Sequence, residues 1–355
     1  MKFIHLTCDS RFGGINKFIK TLAESDCKDN NHFSFEAENL SPYVHQYNCV
    51  RFNFRRRKGI LLIVDIFLNL PFVLYYAFSV DAIIMHSILL CPYSFLFFLI
   101  GKKFFFIVHD FNNPRPLIRL INYFFSGKVK FVSPILIASF SKKYYSRLNV
   151  LLPVTKAYIQ SIDNKSKTNN SFQLDQRSLT FLYVGSLSYV KGLRLFLQNL
   201  VLLSSDLPIV IHVIGEIDKR YLQHFPDSSL LPSMVKVIYH GKIYDERMKS
   251  SIASKCNFSL IPSISEVFPY VYSESLMYGK IPLCSSITSF TSISSLRSHI
   301  FDTKSLVQIQ NVLEWAASIS TIDYLNYCKR LQYDYVSFCA NYCSADSFAD
   351  SIETR

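Results

Sequence analysis

The chain has 355 residues, of which 50% are hydrophobic and 18% are charged, and its formal net charge is +12. This length is sufficient for two domains with separate cores, and the composition excludes an intrinsically disordered protein. The positive charge indicates an anionic partner: a nucleic acid, an acidic membrane surface or a phosphorylated ligand. Nine cysteines form no Cys-x-x-Cys pair, which favours reduced thiols and a cytoplasmic location.

Apolar, strand-like segments alternate with helix-like segments through the first half of the chain. The predicted strands are 2–7, 81–86, 103–109, 129–133 and 150–153. Several are nearly continuous apolar runs, which is typical of a parallel sheet covered on both faces. The pattern therefore predicts a Rossmann-like domain over residues 1–160, whose N-terminal segment is a first strand rather than a signal peptide.

Two apolar segments in this half raise the question of membrane contact. The segment 60–80 is long enough to span a bilayer and follows the basic run 55–58. Three residues that disfavour a span interrupt it: Asp65, Asn69 and Pro71. The segment 88–100 is too short to span alone. We favour buried or surface-docked helices and keep a true span as the alternative.

A polar segment separates the two halves of the chain. Residues 161–178 contain few large apolar side chains and predict a domain linker. Alternation then resumes, with predicted strands at 179–185, 208–215, 234–241, 256–263 and 280–286, and predicted helices at 191–203, 244–254 and 271–279. We expect a second doubly wound domain over 179–335. The last forty residues are predicted to be helical, because apolar residues such as Leu325, Leu331 and Tyr335 recur at mostly helical spacing, and the C-terminal helix over 336–355 is expected to pack back on the first domain.

Most of the ten glycines stand at the ends of predicted elements. Seven do so: Gly13, Gly14, Gly185, Gly192, Gly215, Gly241 and Gly279. Glycine allows a close approach of the backbone, and the carboxyl ends of parallel strands are where ligands bind. A shared ligand crevice is the favoured reading; the alternative is a set of tight turns and helix caps.

Three segments of the second half carry a family resemblance: FLYVGSLSYVKGLRLFL, VIYHGKI and LIPSISEVFPYVYSESLMYGKIPLCSS. In order and spacing they resemble the second domain of the retaining GT-B glycosyltransferases of family 4 (glycosyl transferases group 1). The N-terminal segments GGINKFIKTLAES, DAIIMHS and FFFIVHDF resemble the family's first domain. The resemblance implies a GT-B fold, in which two Rossmann-like domains face a central cleft, and a UDP- or GDP-linked sugar donor.

The resemblance also assigns the two glutamates of the last segment. Glu266 lies on a loop and would face the hydroxyls of the transferred sugar as a catalytic residue. Glu274 lies one turn into the following helix and would accept hydrogen bonds from the ribose. The backbone of four residues between them would hold the diphosphate and the sugar: Phe268, Pro269, Tyr270 and Val271. Spacing alone shows only an acid on a loop and an acid on a helix, and both could be surface residues.

Further donor-site residues follow from the other segments. Lys191 resembles the family lysine that neutralises the diphosphate, where a fixed cation stabilises the leaving group. The family usually has an arginine after the glycine of VGS, but here Ser186 follows Gly185. Lys242 and Arg11 are the candidates to replace that cation. Base recognition is expected from the backbone around 241–243, which comprises Gly241, Lys242 and Ile243.

In the first half, the resemblance places His109 beside the transferred sugar and Gly14 near the β-phosphate, whereas His86 is expected to be structural. No metal site is predicted, because neither an Asp-x-Asp motif nor a His/Cys cluster with ligand spacing is present. No cofactor is expected beyond the sugar donor. A strand-end histidine without a catalytic role is the alternative for His109.

Basic and aromatic residues share three runs of the first half: 51–58, 101–103 and 141–147. Beside apolar helices they favour docking on an anionic inner membrane surface, and no nucleic-acid motif is found. The resulting prediction is a glycosyltransferase that passes a hexose-type sugar to a polyprenyl-diphosphate-linked oligosaccharide in bacterial surface polysaccharide synthesis (O antigen or capsule). The alternatives are a GT-B epimerase and a catalytically weak member that binds the donor or other assembly enzymes.

Overall fold

The structure is a computed structural model in which the following residues are described: 2–6, 18–19, 21–22, 31–34, 44–46, 60–86, 90–109, 118, 121, 123–125, 128–131, 150–152, 154–166, 174, 178–203, 207–216, 231–268, 270–342 and 344. Several predicted residues lie outside these ranges: Arg11, Gly13, Gly14, Pro269 and the basic runs 51–58 and 141–147.

The chain divides into two compact units. One comprises Met1–Ile159 with Cys339–Arg355, and the other comprises Gln160–Phe338. Each unit contains its own six-stranded sheet.

The first unit is built on a parallel sheet. Its strands are β1 (Lys2–Leu6), β2 (Asn31–Ser34), β3 (Val44–Gln46), β4 (Ala82–Met85), β5 (Lys103–Val108) and β6 (Val129–Phe131), in the spatial order β3-β2-β1-β4-β5-β6. Among the described residues of this unit, two helices have defined bounds, α1 (Ile60–Ser79) and α2 (Cys91–Leu99). All four residues of β4 are buried, which explains why that strand is apolar throughout.

The second unit repeats this plan. Its strands are β7 (Leu179–Val184), β8 (Ile209–Ile214), β9 (Val235–Tyr239), β10 (Phe258–Ile261), β11 (Ile281–Ser285) and β12 (Ile300–Phe301). Its helices are α3 (Lys156–Ser166, which crosses the unit boundary), α4 (Leu193–Leu202), α5 (Glu246–Ser254), α6 (Tyr270–Met277), α7 (Thr288–Thr291), α8 (Leu306–Ser318) and α9 (Thr321–Ala340). A short 3₁₀ segment, Tyr189–Lys191, precedes α4.

The two sheets share one topology although the sequence shows no close repeat. The second sheet runs β12-β11-β10-β7-β8-β9, which is the order of the first sheet with its strands numbered from β7. In both, chain progression reverses between the first and fourth strands of the unit, β1 and β4 or β7 and β10. Ligands of doubly wound folds bind at the carboxyl ends of the strands beside this point. The predicted α/β fold of two doubly wound parallel sheets is confirmed.

Several predicted boundaries differ from the structure. Helix α3 occupies the start of the predicted linker, and its Ile162 is fully buried, which anchors the helix. Residues 150 and 151 form single β bridges rather than a strand. The sequence did not predict the short strands β2, β3 and β12, nor helix α8. Ser305 caps the N-terminus of α8, because its side chain accepts a hydrogen bond from the N–H of Gln308.

The C-terminal helix α9 lies within the last forty residues, which the sequence predicted to be helical, and it begins before the domain boundary placed at 335. Its buried residues Tyr324, Leu331 and Tyr335 recur at helical spacing. The Tyr324 hydroxyl donates to the Asn257 carbonyl beside β10, and Gln332 Nε2 donates to the Leu276 carbonyl at 3.1 Å. These contacts bind the helix to the second unit. Because the helix continues to Ala340, the boundary proposed at 335 falls within it.

Helix α1 is two-faced over its described side chains. Four residues at its C-terminal end are buried against the first unit: Val73, Tyr76, Ala77 and Val80 just beyond it. Five large apolar residues are exposed: Phe67, Leu68, Phe72, Tyr75 and Phe78. Among the described residues, no helix has the length and apolarity needed to cross a membrane.

Candidate functional site

Two loops meet at the reversal point of the second sheet. One follows β7 and leads into α4, and the other follows β10 and leads into α6. The Ile264 N–H donates to the Val190 carbonyl at 2.8 Å, which joins them. Gly192 has φ +69°, and a Cβ there would lie 1.8 Å from the Pro262 carbonyl oxygen. Glycine is therefore required for the two loops to come this close.

The closely packed loops bring Lys191 and Glu266 together. Lys191 is the last residue of the 3₁₀ segment, and its Nζ forms an ion pair with Glu266 Oε1. Ser263 Oγ donates to the same carboxylate oxygen at 3.1 Å. The exposed fractions of the two charged side chains are 29% and 13%, so the pair is partly shielded from water but remains reachable by a ligand. Lys191 and Glu266, which were predicted from separate motifs, thus form one ion pair.

The main chain around Glu266 is fixed by serines that the sequence analysis missed. Ser289 Oγ donates to the Glu266 carbonyl, and Ser285 Oγ donates to the Ser263 carbonyl. Ser285 and Ser289 are buried at the end of β11 and in α7. Because their partners are main-chain oxygens, their hydrogen bonds hold the loop in place. Serines are common in this chain, so sequence alone gave no signal for them.

Helix α6 begins directly beyond this loop. Its two serines are buried and bond to the helix itself, since Ser273 Oγ donates to the Tyr270 carbonyl at 2.8 Å and Ser275 Oγ to the Val271 carbonyl at 2.6 Å. The Tyr270 N–H donates to the Phe268 carbonyl at 3.1 Å. In this conformation the Tyr270 N–H is engaged within the chain, and the contact of the 268–271 backbone with a donor stays a prediction.

Glu274 is half-buried in the middle of α6. The pKa of the Tyr278 phenol is raised above its ordinary value, mainly by burial. The nearby carboxylates of Glu246 and Glu274 add to this rise, which places the Glu274 carboxylate close to Tyr278. Tyr278 and Ile243 both pack on a small core that includes Leu182 and Ile214. Tyr278, one turn after Glu274, and Ile243 of the 241–243 loop therefore share one apolar cluster, although they are far apart in sequence.

The carboxyl ends of β7, β8 and β9 approach closely. Gly185 N–H donates to the Ile214 carbonyl at 3.0 Å, and Gly215 N–H donates to the Gly241 carbonyl at 2.8 Å. The exposed Ser186 stands at the end of β7, where its carbonyl accepts a hydrogen bond from the Tyr183 hydroxyl at 3.0 Å. No arginine takes this place, and Ser186 Oγ lies 3.4 Å from Ser188 Oγ.

Lys242 is an exposed cation beside these strand ends. Its Nζ lies 3.0 Å from Glu216 Oε2 and 5.2 Å from the centre of the Tyr244 ring. Hydrogen bonding to Tyr244 and then to Glu216 raises the pKa of Lys242. It is fully charged at neutral pH, but a ligand phosphate would have to compete with Glu216 for it.

In the first unit, His109 directly follows β5. Its Nε2 lies 2.9 Å from Nδ1 of His86, which follows β4. Burial lowers the pKa of His109 to about 3, so its imidazole is neutral at physiological pH. His86 was expected to be structural, and the sequence gave no sign of its contact with His109.

Comparison with known proteins gives a family for part of the chain. Residues 164–322 match the family model described as Glycosyl transferases group 1. This match covers less than half of the chain and contains Lys191, Glu266 and Glu274. A comparison with curated proteins gives no match.

Solved structures resemble the entire chain. Anabaena HepE, solved with UDP and glucose, has a TM-score of 0.65 and 12% identity, covering 100% of this chain and 98% of its own. A trehalose-phosphate synthase (UDP-forming) from Burkholderia xenovorans, solved with glucose-6-phosphate, has a TM-score of 0.67 and 10% identity, covering 100% and 99%. Sucrose-phosphate synthase from Thermosynechococcus elongatus has a TM-score of 0.68 and 12% identity, and the match covers 99% of this chain and 97% of its own.

These likenesses establish the fold as GT-B. Identities this low carry no information on substrates. Together, the group 1 match and the GT-B fold support a transferase of the glycosyltransferase type, as the sequence predicted.

Proposed function

We propose that the protein is a retaining glycosyltransferase of family 4 that transfers a hexose-type sugar from a UDP- or GDP-linked donor to a lipid-linked saccharide. The observation that carries this proposal is the Lys191–Glu266 pair at the reversal point of the second sheet. A cation and a carboxylate, held by neighbouring loops, match the two needs of a nucleotide sugar: a partner for phosphate charge and an acceptor for sugar hydroxyls.

Glu266 is proposed to bind the transferred sugar. Lys191 and Ser263 both engage Oε1, which orients the carboxylate and leaves Oε2 as the oxygen that these two contacts do not use. A carboxylate oxygen accepts hydrogen bonds only, so it suits the hydroxyls of a hexose. Because the loop is fixed through Ser285 and Ser289, this acceptor is positioned before the ligand arrives.

Lys191 is proposed to stabilise the departing nucleotide. As the bond from the sugar to the β-phosphate breaks, negative charge grows on the phosphate, and a nearby ammonium stabilises this state more than the ground state. The N-terminus of α6 adds the positive end of a helix dipole. His109 is proposed to contact the transferred sugar as a neutral imidazole, and Glu274 to accept hydrogen bonds from the ribose.

Nucleotide binding tests this proposal directly. We expect calorimetry without added metal to show micromolar binding of one nucleotide among UDP, GDP, ADP and CMP. Glu274→Ala should weaken that binding by about 1–3 kcal/mol, because a charged hydrogen-bond acceptor is lost. Glu314→Ala is the matched control, since Glu314 is an exposed helical carboxylate bonded to Gln310 at 2.8 Å.

The outcomes separate the possible readings. Loss of affinity in the Glu274 variant alone supports the ribose contact, and equal affinity in both variants contradicts it. If none of the four nucleotides binds, the proposed enzyme is contradicted and the alternative of a degenerate, partner-binding GT-B protein gains support. Ser186, in place of the family arginine, is the residue that favours that alternative.

We further propose that the first unit docks on an anionic lipid surface at the inner face of the cell membrane, where a polyprenyl-diphosphate-linked acceptor is reached. Exposed apolar residues on α1 and α2 and at 123–124 support this: Phe67, Leu68, Tyr75, Phe78, Phe98, Leu99, Tyr123 and Phe124 are each more than half exposed. Singly exposed apolar residues are ordinary, but adjoining ones mark interaction or membrane surfaces, and the rings of Phe95, Tyr123 and Phe124 contact one another. The net charge of +12 favours an anionic lipid over a neutral one.

Vesicle flotation tests this docking. The protein should float with vesicles that contain phosphatidylglycerol and much less with pure phosphatidylcholine. Replacing both Phe78 and Phe98 with serine should weaken the affinity for these vesicles by about a hundredfold or more, since full insertion of each ring contributes roughly 1.5–3 kcal/mol. Leu202→Ser is the control, because Leu202 is 68% exposed but lies in the second unit. Equal flotation of all three proteins would contradict docking through this surface.

A further inference from the structure

Three histidines lie side by side at the reversal point of the first sheet. His5 is in β1, His86 directly follows β4, and His109 directly follows β5. These strands are adjacent and parallel, so the three rings come from neighbouring positions at the carboxyl ends of the strands. In the second sheet, the equivalent reversal point is where the candidate donor site lies.

The three rings form a continuous chain of N–N contacts. Nδ1 of His5 lies 2.9 Å from Nε2 of His86, and Nδ1 of His86 lies 2.9 Å from Nε2 of His109. Each contact requires one nitrogen with a hydrogen and one with a free lone pair. Since both nitrogens of His86 are used, a neutral His86 donates to one neighbour and accepts from the other.

Two of the three rings, those of His86 and His109, are neutral at physiological pH, and aromatic neighbours pack against them. His5 is fully buried and His86 is 4% exposed. Burial, with the neighbouring His109 and His5, holds the pKa of His86 well below its ordinary value. The buried ring of Phe18 packs edge-on against both His86 and His109, at centroid distances of 5.7 and 5.3 Å. The rings therefore have little freedom to rotate.

This arrangement differs from a metal site. Metal ligands converge on one point, whereas here successive nitrogens pair with each other along a line. Among the residues that the structure describes, no group of three or more His, Cys, Asp or Glu side chains is arranged to hold a metal ion.

We propose that His86, supported by His5, is a positioning residue that holds His109 as a neutral imidazole with Nε2 engaged and Nδ1 as its ligand-binding atom. This inference rests on the proposed role of His109 at the transferred sugar. The hydrogen-bond direction along the chain sets whether Nδ1 donates or accepts: a chain that runs from His5 to His109 makes it a donor, and the opposite direction makes it an acceptor. A sugar hydroxyl can pair with either form.

Two substitutions of His86 distinguish its two contacts. Asn places its amide near the position of the imidazole Nδ1, so His86→Asn keeps a partner for His109. Gln reaches the position of Nε2, so His86→Gln keeps a partner for His5 and removes the one for His109. We expect the Gln variant to lose about tenfold in kcat/KM for the nucleotide sugar, which is ~1.4 kcal/mol for one lost orienting hydrogen bond. The Asn variant should recover most of that loss.

The affinity for the free nucleotide gives the second readout. It should be alike in wild type and both variants, because the nucleotide is proposed to bind the second unit. Parallel losses of kcat/KM, nucleotide affinity and thermal stability in both variants would show a purely structural role and overturn the proposal. Equal kcat/KM in the Asn and Gln variants would overturn it as well.

Nitrogen-15 NMR of the histidine rings in the wild-type protein tests the chain without any activity and without a variant that must fold. At pH 7 we expect neutral rings, and scalar coupling between Nδ1 of His86 and Nε2 of His109 across their hydrogen bond. A protonated His109, or a His109 Nε2 without that coupling, would contradict the inference. If the coupling is present but no nucleotide binds, the histidine chain stands and the proposed glycosyltransferase function is what fails.

Discussion

Replacing Lys191 with methionine is expected to lower turnover of the nucleotide sugar by about 10²–10³-fold, the usual effect of removing one fixed group that stabilises transition-state charge. Methionine preserves the length of the side chain and removes its charge. The substitution also leaves Glu266 without its ion-pair partner, so the carboxylate that is proposed to bind the sugar loses part of its orientation. Release of nucleoside diphosphate, measured with the donor that binds in calorimetry, checks this prediction.

The matched control for this substitution is Lys249→Met. Lys249 Nζ pairs with Glu246 Oε1 at 2.7 Å on helix α5, so the same charge and the same kind of contact are removed away from the two loops. Surface pairs of this type contribute about 0–1 kcal/mol, and turnover should stay close to wild type. If Lys191→Met keeps turnover within a few-fold of the control, Lys191 does not stabilise the leaving group.

Replacing Gly192 with alanine is expected to destabilise the second unit and to displace the Lys191 loop. The positive φ alone costs an L-residue about 1–2 kcal/mol. The Cβ would also lie 1.8 Å from the Pro262 carbonyl oxygen, a backbone atom that cannot rotate away. Forcing an atom into packed structure adds roughly 1–3 kcal/mol. Urea unfolding measures the stability, and calorimetry with the bound nucleotide measures the effect on the loop.

Gly241→Ala separates the two causes. Gly241 lies in the same unit with φ +68°, but a Cβ there would have no atom within 4 Å. This variant should show the cost of the backbone angle without the clash. Equal destabilisation by the two substitutions would mean that the loops can move apart freely, and the close approach of Gly192 to Pro262 would then have no structural importance.

The sequence predicted the fold class because strands buried on both faces are recognisable as apolar runs. All residues of β4 and the last three of β5 are buried, and both strands lie in nearly continuous apolar runs of the sequence. The short strands β2, β3 and β12 carry too few residues for such a pattern. Helix α3 was mistaken for the start of a linker, because one buried residue, Ile162, within a polar segment gives no helical periodicity.

The sequence also singled out Lys191, Glu266 and Glu274, through motifs that resemble a known family. It determined by itself that two doubly wound domains are present and which charged residues lie at the ends of their strands. Only the tertiary structure decided that Lys191 pairs with Glu266 and that His5, His86 and His109 form one chain. The physical reason is that each of these contacts joins strand ends from separate crossovers, and strand order at the reversal point is set by how the sheet assembles rather than by any local pattern.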